Sequence, residues 1–195
     1  MKVLGIMASP RKGGNSDVLL DSFLAGAKSV GAETEKVNLY DSDIQYCQGC
    51  WVTCWCTDDN CSQFNDDMDS LHRKMLDSDL TVFSSPVFMG TPPAKLIAFF
   101  ERSIDQKKVN FDTLVIEKNT LQGRKAAVLQ VNFFKDIAYQ SLPTAVYERI
   151  LKEIFKMEIV GMYGVPGVAN VGDISKKPEE LKEAYDMGVR ICNSL

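Results

Sequence analysis

The fold turns on the stretch KVLGIMASPRKGGNSDVLLDSFLAGAKSV, Lys2 to Val30. Lys2 to Met7 is a short run rich in Val, Leu and Ile, and the polar, glycine-bearing loop Ala8 to Asn15 ends it. A run of this length bounded by turn residues reads as a buried strand. Val18, Leu19, Phe23, Ala27 and Val30 then recur at helical spacing, so Ser16 to Val30 is expected to be a helix, capped by Ser16 or Asn15. Strand, loop and helix in that order put unpaired N–H groups and the positive end of a helix dipole at the loop, which attracts an anion. The loop SPRKGGNS, Ser9 to Ser16, adds hydroxyls, an amide, two basic residues and glycines that let backbone approach a phosphate closely. It has neither the P-loop spacing nor the G-x-G-x-x-G dinucleotide fingerprint, and a solvated polar turn is the plain alternative.

The same alternation continues. Glu33 to Leu39 reads as a second strand, Asp66 to Asp77 as a helix with Met68, Leu71, Met75 and Leu76 on one face, and Leu80 to Ser84 as a third strand. The loop SPVFMGTPP, Ser85 to Pro93, leads to a helix over Ala94 to Ser103 that Pro93 starts well. Ile104 to Gly123 has no clean period and is expected to be an irregular connection or an excursion used for subunit contact. Lys125 to Val131 is a fourth strand, Ser141 to Lys156 a long amphipathic helix and Glu158 to Tyr163 a fifth strand. A final helix carries Leu181, Tyr185, Gly188, Cys192 and Leu195 on one face. Strands alternating with helices predict an α/β fold with a five-stranded parallel sheet covered on both faces. No repeat or linker divides the 195 residues, which read as one domain, 1–195.

Composition narrows the function. With 45% hydrophobic and 25% charged residues the chain is ordinary globular material, and its formal charge of −4 offers no broad basic surface for nucleic acid. No apolar run reaches the roughly 18 residues of a membrane span, and the start does not read as a signal peptide. A cytoplasmic protein acting on small molecules or protein partners is expected.

Five of the six cysteines fall in CQGCWVTCWCTDDNC, Cys47 to Cys61, at the spacing C-x2-C-x3-C-x-C-x4-C. Thiols this crowded can hold an iron–sulfur cluster or zinc, act as redox dithiols, or cross-link in an oxidising compartment. Without an export signal, metal or redox use in a reducing cytosol is expected. Trp51 and Trp55 would shield such a loop. His72 rides a charged helix beside Arg73 and Lys74 and reads as a surface or interface residue; Cys192, on the last apolar stripe, reads as a small core residue.

Four pieces in order, GIMASPRKGGNS (Gly5 to Ser16), the cysteine block, DDMDSLHRKM (Asp66 to Met75) and SPVFMGTPPAKLIAFFERS (Ser85 to Ser103), resemble the iron–sulfur flavoproteins, a branch of the flavodoxin-like NAD(P)H-dependent FMN reductases. The resemblance implies a flavodoxin-like three-layer sandwich with strand order 2-1-3-4-5 and FMN across the carboxyl ends of the strands. It implies that Ser9, Arg11, Asn15 and Ser16, with Lys12 a weaker member, hold the FMN phosphate. Pro86, Val87, Phe88, Met89 and Gly90 would border the isoalloxazine ring, Phe88 and Met89 packing near it and backbone N–H groups reaching its heteroatoms; for Phe88 and Met89 plain core packing is the alternative. The family's third flavin loop is usually glycine-rich, whereas VNFFKDIAYQS, Val131 to Ser141, has no glycine, with Asn132 and Phe133 its possible flavin contacts.

The family motif, C-x-x-C-x-x-C with a later fourth Cys, binds a [4Fe–4S] cluster. By that match the ligands are Cys47, Cys50, Cys54 and Cys61, with Cys56 the alternative third ligand. The implied activity is FMN-dependent electron relay between a reduced carrier, ferredoxin or NAD(P)H, and an acceptor, in a homodimer or homotetramer. A cluster-free NAD(P)H-dependent FMN or quinone reductase is the second reading, and a zinc or thiol-switch module without enzymatic activity the third.

Overall fold

Three runs, VLGIM, LTVF and AAVLQV, are apolar on both sides because they form the middle of a parallel sheet. The structure, a computed structural model, describes residues 1–50, 54, 61, 63–110, 112–136 and 138–195. The central strands are β1 (Lys2–Met7) and β3 (Leu80–Pro86), and the edge strand β2 (Glu33–Asn38) lies beside β1. The hairpin β4 (Lys107–Asn110) and β5 (Val115–Asn119) stands apart as a two-stranded antiparallel sheet. Strands β6 (Lys125–Val131) and β7 (Glu158–Val165) complete the main sheet, whose order is β2-β1-β3-β6-β7. With the hairpin set aside this is the expected 2-1-3-4-5. The hairpin replaces the irregular connection expected over 104–123.

Helices cover both faces. On one, α1 (Asn15–Ser29) and α5 (Pro178–Ser194) pack Leu19, Phe23, Met187 and Ile191 against Val3, Val82 and Leu129. On the other, α2 (Met68–Asp77), α3 (Ala94–Arg102) and α4 (Ala138–Tyr147) bury Leu71, Phe99, Phe100 and Tyr147 against Leu4, Ile6 and Val128. Each fully buried Phe of this layer contributes roughly 1.5–3 kcal/mol. Cys192 is half-buried against the first core. The expected helix 141–156 starts at Ala138, and beyond Tyr147 it widens into a π-helical segment, Glu148–Ile154, closed by Phe155 N–H donating to Ile150 O.

Two expectations fail locally. Neither Asn15 nor Ser16 caps α1: the cap is Gly14, which makes no side-chain cap bond, and both residues lie inside the first turn. His72 is buried rather than on the surface, with Nε2 3.0 Å from Ser103 Oγ and Nδ1 3.1 Å from Gln106 Nε2. Its helix neighbours Arg73 and Lys74 point outward, but packing of α2 against α3 turns His72 inward, where two polar partners satisfy it.

The ends of the cysteine loop are closed by a polar clamp with a buried ion pair at its centre. Asp43 N–H donates to Asp67 Oδ2 at 2.7 Å, and Asp67 N–H returns a bond to Asp43 O at 3.0 Å. Asp66 accepts from Gln45 N–H (3.1 Å) and Met68 N–H (3.2 Å) and takes a two-pronged contact from Arg102, Nη1–Oδ2 2.5 Å and Nη2–Oδ1 3.2 Å. Arg102 also donates to Gln45 O at 3.1 Å and lies 4.6 Å over the Phe64 ring. The two charged side chains are only 2% and 3% exposed. Burial pushes the Asp66 carboxyl up, but Arg102 and the two backbone donors outweigh it, so its pKa lies below the ordinary 3.8. Its stabilising contribution is therefore full above that ordinary value and is lost as pH falls through the lower folded one.

Two substitutions test this scaffold. A Cβ on Gly188 would stand 2.2 Å from Phe23 O, because α1 and α5 meet backbone to backbone. Gly188→Leu should therefore destabilise the fold by about 1–3 kcal/mol, read from the urea midpoint. Arg102→Leu leaves Asp66 charged and buried and should cost about 3–5 kcal/mol by the same measurement. An unchanged midpoint in either variant would contradict the packing described.

Candidate functional site

Strand β1 leads to β2 on one side, and its other neighbour is β3, so the loops after β1 and β3 part and leave a crevice at their carboxyl ends. The first loop turns so tightly that Gly14 N–H reaches Arg11 O at 3.0 Å, and Arg11 N–H donates to Ser9 Oγ at 3.2 Å. Ser9, Asn15 and Ser16 are buried, and Arg11 and Lys12 exposed. With Gly14 as a side-chain-free cap, the first-turn amides of α1 are left to an external anion. Asp17, the carboxylate of this turn, is turned aside: it accepts from Gly13 N–H at 2.8 Å and pairs with Lys36 at 2.8 Å.

Two of the expected phosphate residues have other commitments. The Asn15 amide spans to the segment after β7, donating to Asn170 O (2.9 Å) and accepting from Ile174 N–H (3.1 Å). Lys12 pairs with Asp41 at 2.8 Å, in solvent. Arg11 donates to Ala169 O at 3.1 Å through Nη1 alone, so its fork keeps further donors for an anion.

The second loop is a hairpin turn. Phe88 and Thr91 exchange backbone bonds of 2.9 Å, and Met89 (φ 51°) and Gly90 (φ 77°) form its two-residue tip, the positive-φ pair of a type I′ turn. Val87 N–H is spent on Val131 O, so the amides at the tip are the ones left without an acceptor among the described residues. Phe88 is exposed and Met89 is 99% exposed, which removes plain core packing for either. Pro86 ends β3, with Pro86 and Val87 half-buried.

The third loop turns without glycine. Asn132 Oδ1 accepts from Phe134 N–H at 3.2 Å, a side-chain-closed turn that needs no positive φ. Asn132 is 3% exposed and its Nδ2 is a buried donor with no partner among the described residues, whereas Phe133 is 64% exposed. Phe134 stacks on Tyr139 with centroids 4.2 Å apart, and Leu142, one turn beyond Tyr139, approaches Gly90. The second and third loops thus carry one apolar surface along the crevice.

Four thiols converge in the loop between β2 and α2. Cys47, Cys50, Cys54 and Cys61 line one small cavity with Phe64, Ile104 and Arg102. The Cys50 and Cys54 sulfurs are 3.9 Å apart, and Lys108 of the hairpin donates to Cys54 O at 3.0 Å. Among the described residues no three His, Cys, Asp or Glu side chains are already arranged to hold a metal ion. Trp51, Trp55 and Cys56 lie outside the described residues. Sequence reasoning missed Arg102 in this wall. Its signal was a charge three and four residues beyond Phe99 and Ala98, on the buried side of α3.

The donors fit both groups that the resemblance implies. Uncapped amides with buried hydroxyls suit a phosphate, an unpartnered buried amide donor and an apolar rim suit a flavin ring, and four soft sulfurs around one cavity suit iron or zinc.

Residues 1–135 match the model of the NADPH-dependent FMN reductase family. The chain is 30% identical over its whole length to an iron–sulfur flavoprotein of Methanosarcina thermophila, covering 95% of that protein. It is 31% identical, also over its whole length, to one of Archaeoglobus fulgidus, covering 80%. An NAD(P)H:quinone oxidoreductase from Methanothermobacter marburgensis superposes with a TM-score of 0.73 at 21% identity, over 98% of this chain and 96% of the other. An FMN-dependent NADH-azoreductase from Bacillus anthracis, solved with FMN, does so at 0.70 and 17%, over 98% and 100%. The chain belongs to the iron–sulfur flavoprotein branch of the NADPH-dependent FMN reductase family and is a flavodoxin-like, FMN-dependent oxidoreductase.

Proposed function

We propose that this oxidoreductase relays electrons between a reduced carrier, ferredoxin or NAD(P)H, and an acceptor, with FMN in the β1/β3 crevice and a [4Fe–4S] cluster in the cysteine loop. The observation that carries the reading is that four thiols of one loop line one cavity, in a chain whose α1 begins with an uncapped first turn after β1. When bound, FMN accepts a hydride and gives up electrons singly, and an iron–sulfur cluster passes them one at a time. The protein's part is to bind and to place. Ser9, Ser16 and the first-turn amides receive the phosphate, and Arg11 balances its charge. The Met89 and Gly90 amides and Asn132 Nδ2 offer donors to the ring heteroatoms, with Phe88 and Phe133 at its rim. Cys47, Cys50, Cys54 and Cys61 hold the iron. Family membership removes support from a thiol module without enzymatic activity.

We place the chain in the cytoplasm as a homo-oligomer. Cys47, Cys50 and Cys192 are free thiols, which a reducing compartment keeps, and no described helix is long and apolar enough to cross a membrane. Exposed Leu114, Val115 and Ile116 on the hairpin, and an apolar cleft of about 500 Å³ between Ile97, Phe100, Ile104, Ile150 and Ile154, are surfaces that support self-association.

One distance favours a second metal. Tetrahedral zinc with Zn–S near 2.3 Å sets its sulfurs about 3.8 Å apart, close to the 3.9 Å between Cys50 and Cys54. Ligands of a cluster sit on separate irons and stand farther apart, so the cluster reading requires these two sulfurs to separate on loading.

Two measurements test the function. In flavin titrations of apoprotein, Arg11→Gln and Ser16→Ala should each weaken FMN binding about tenfold or more, as loss of a charge-assisted hydrogen bond does; Lys12→Gln should leave it unchanged. Anaerobically purified protein should contain about four irons and four acid-labile sulfides per chain, lost in Cys54→Ser and kept in Cys56→Ser. Stoichiometric zinc without iron would establish zinc as the bound metal, and flavin with neither metal the cluster-free reductase.

A further inference from the structure

Among the described residues the cysteine cavity has one charged wall, Arg102, and that charge is held from behind. Arg102 lines the cavity with the four cysteines, whereas Asp66 does not. Asp66 grips the guanidinium through both Nη atoms, and Phe64 covers its face at 4.6 Å. The pair is neutral overall but asymmetric about the cavity: Arg102 shares its lining with the four cysteines, and Asp66 stands behind Arg102. Both side chains are withdrawn from water, so salt screens this field little.

We propose that the Asp66–Arg102 pair is the positioning and potential-setting element of the cysteine-bound redox centre, with Arg102 raising its reduction potential and Asp66 moderating that effect. The inference rests on the cluster reading above. Each electron taken up adds one negative charge to the cysteine-bound centre, with no bond made or broken, and a fixed cation at its wall stabilises that added charge. The same guanidinium holds Gln45 O, two residues before Cys47, so the group that sets the field also fixes where the first ligand starts.

The sign of the effect separates this role from simple support. At pH 8, with the protein anaerobically reconstituted with ferrous iron and sulfide, the midpoint potential is read by a redox titration followed by electron paramagnetic resonance. Arg102→Gln should move it negative and Asp66→Asn positive, each by up to a tenfold change in the reduction equilibrium, about 59 mV for one electron. Arg102→Lys, which keeps the charge, should stay near the parent. A merely structural pair would lower cluster content in all three variants and leave the potentials of the retained clusters alike. Parental potentials in both Arg102→Gln and Asp66→Asn, or a shift of the same sign in the two, overturns the proposal. If Arg102→Gln does not fold, Asp66→Asn and Arg102→Lys decide it: a potential that fails to rise in the first, or that falls in the second, overturns it. If the parent itself takes up no iron and sulfide, the cluster reading falls and this proposal falls with it; a loaded parent with unshifted variants removes this proposal alone.

Discussion

Parallel pairing of β1 with β3, from Val3 opposite Leu80 to Met7 opposite Ser84, is the constraint on which the rest depends. The pairing runs on past the strand, with Ala8 N–H donating to Ser84 O at 2.8 Å, and the Ser84 hydroxyl then holds Ser16 O at 2.8 Å. One strand end therefore fixes the strand beside it and the first turn of the helix that follows. A slip by one residue would exchange the two faces of β1 and set Leu4 where Gly5 now lies against Leu20 and Leu24. Because β1 sends its chain away to β2, the crevice between the loops stays open, and β6, paired with β3, delivers Asn132 to its side.

The cysteine loop depends on a different kind of interaction. It leaves the sheet at the carboxyl end of β2 and returns at the start of α2, and apolar burial along its short described parts is slight. Its base is closed instead by Asp43, Asp66, Asp67 and Arg102, and its far side is tied by Lys108 to Cys54 O. Taking an ion pair out of water is costly, and such pairs are poor sources of net stability. What the Asp66–Arg102 pair supplies is geometry, since two parallel N–H···O bonds admit one orientation of the fork. The hairpin β4–β5 does the same from outside, so the thiols are gathered by polar contacts around a rigid sheet edge.

Much of this was legible in the chain. The five parallel strands and a site at the carboxyl edge followed from apolar runs, helical spacing and punctuating loops, while the strand order and the choice of Cys47, Cys50, Cys54 and Cys61 came from the family resemblance. Local geometry was less so. Asn15 looked like a phosphate ligand and is a tie to residues 170 and 174; His72, between charged neighbours, is buried. The third loop lacks the glycine that the resemblance leads one to expect, and Asn132 closes that turn with its own side chain.

The sequence by itself determined what consecutive residues encode: the alternation of strands and helices, the anion-ready loop before α1, and a block of thiols. Tertiary structure alone decided the partners: Arg102 with Asp66 across 36 residues, Lys108 with Cys54 across 54, and Asn15 with Asn170 across 155. The physical reason is one of range. Periodicity and turn chemistry act within a few residues, whereas a buried polar group takes its partner from whichever element packing brings within about 3 Å.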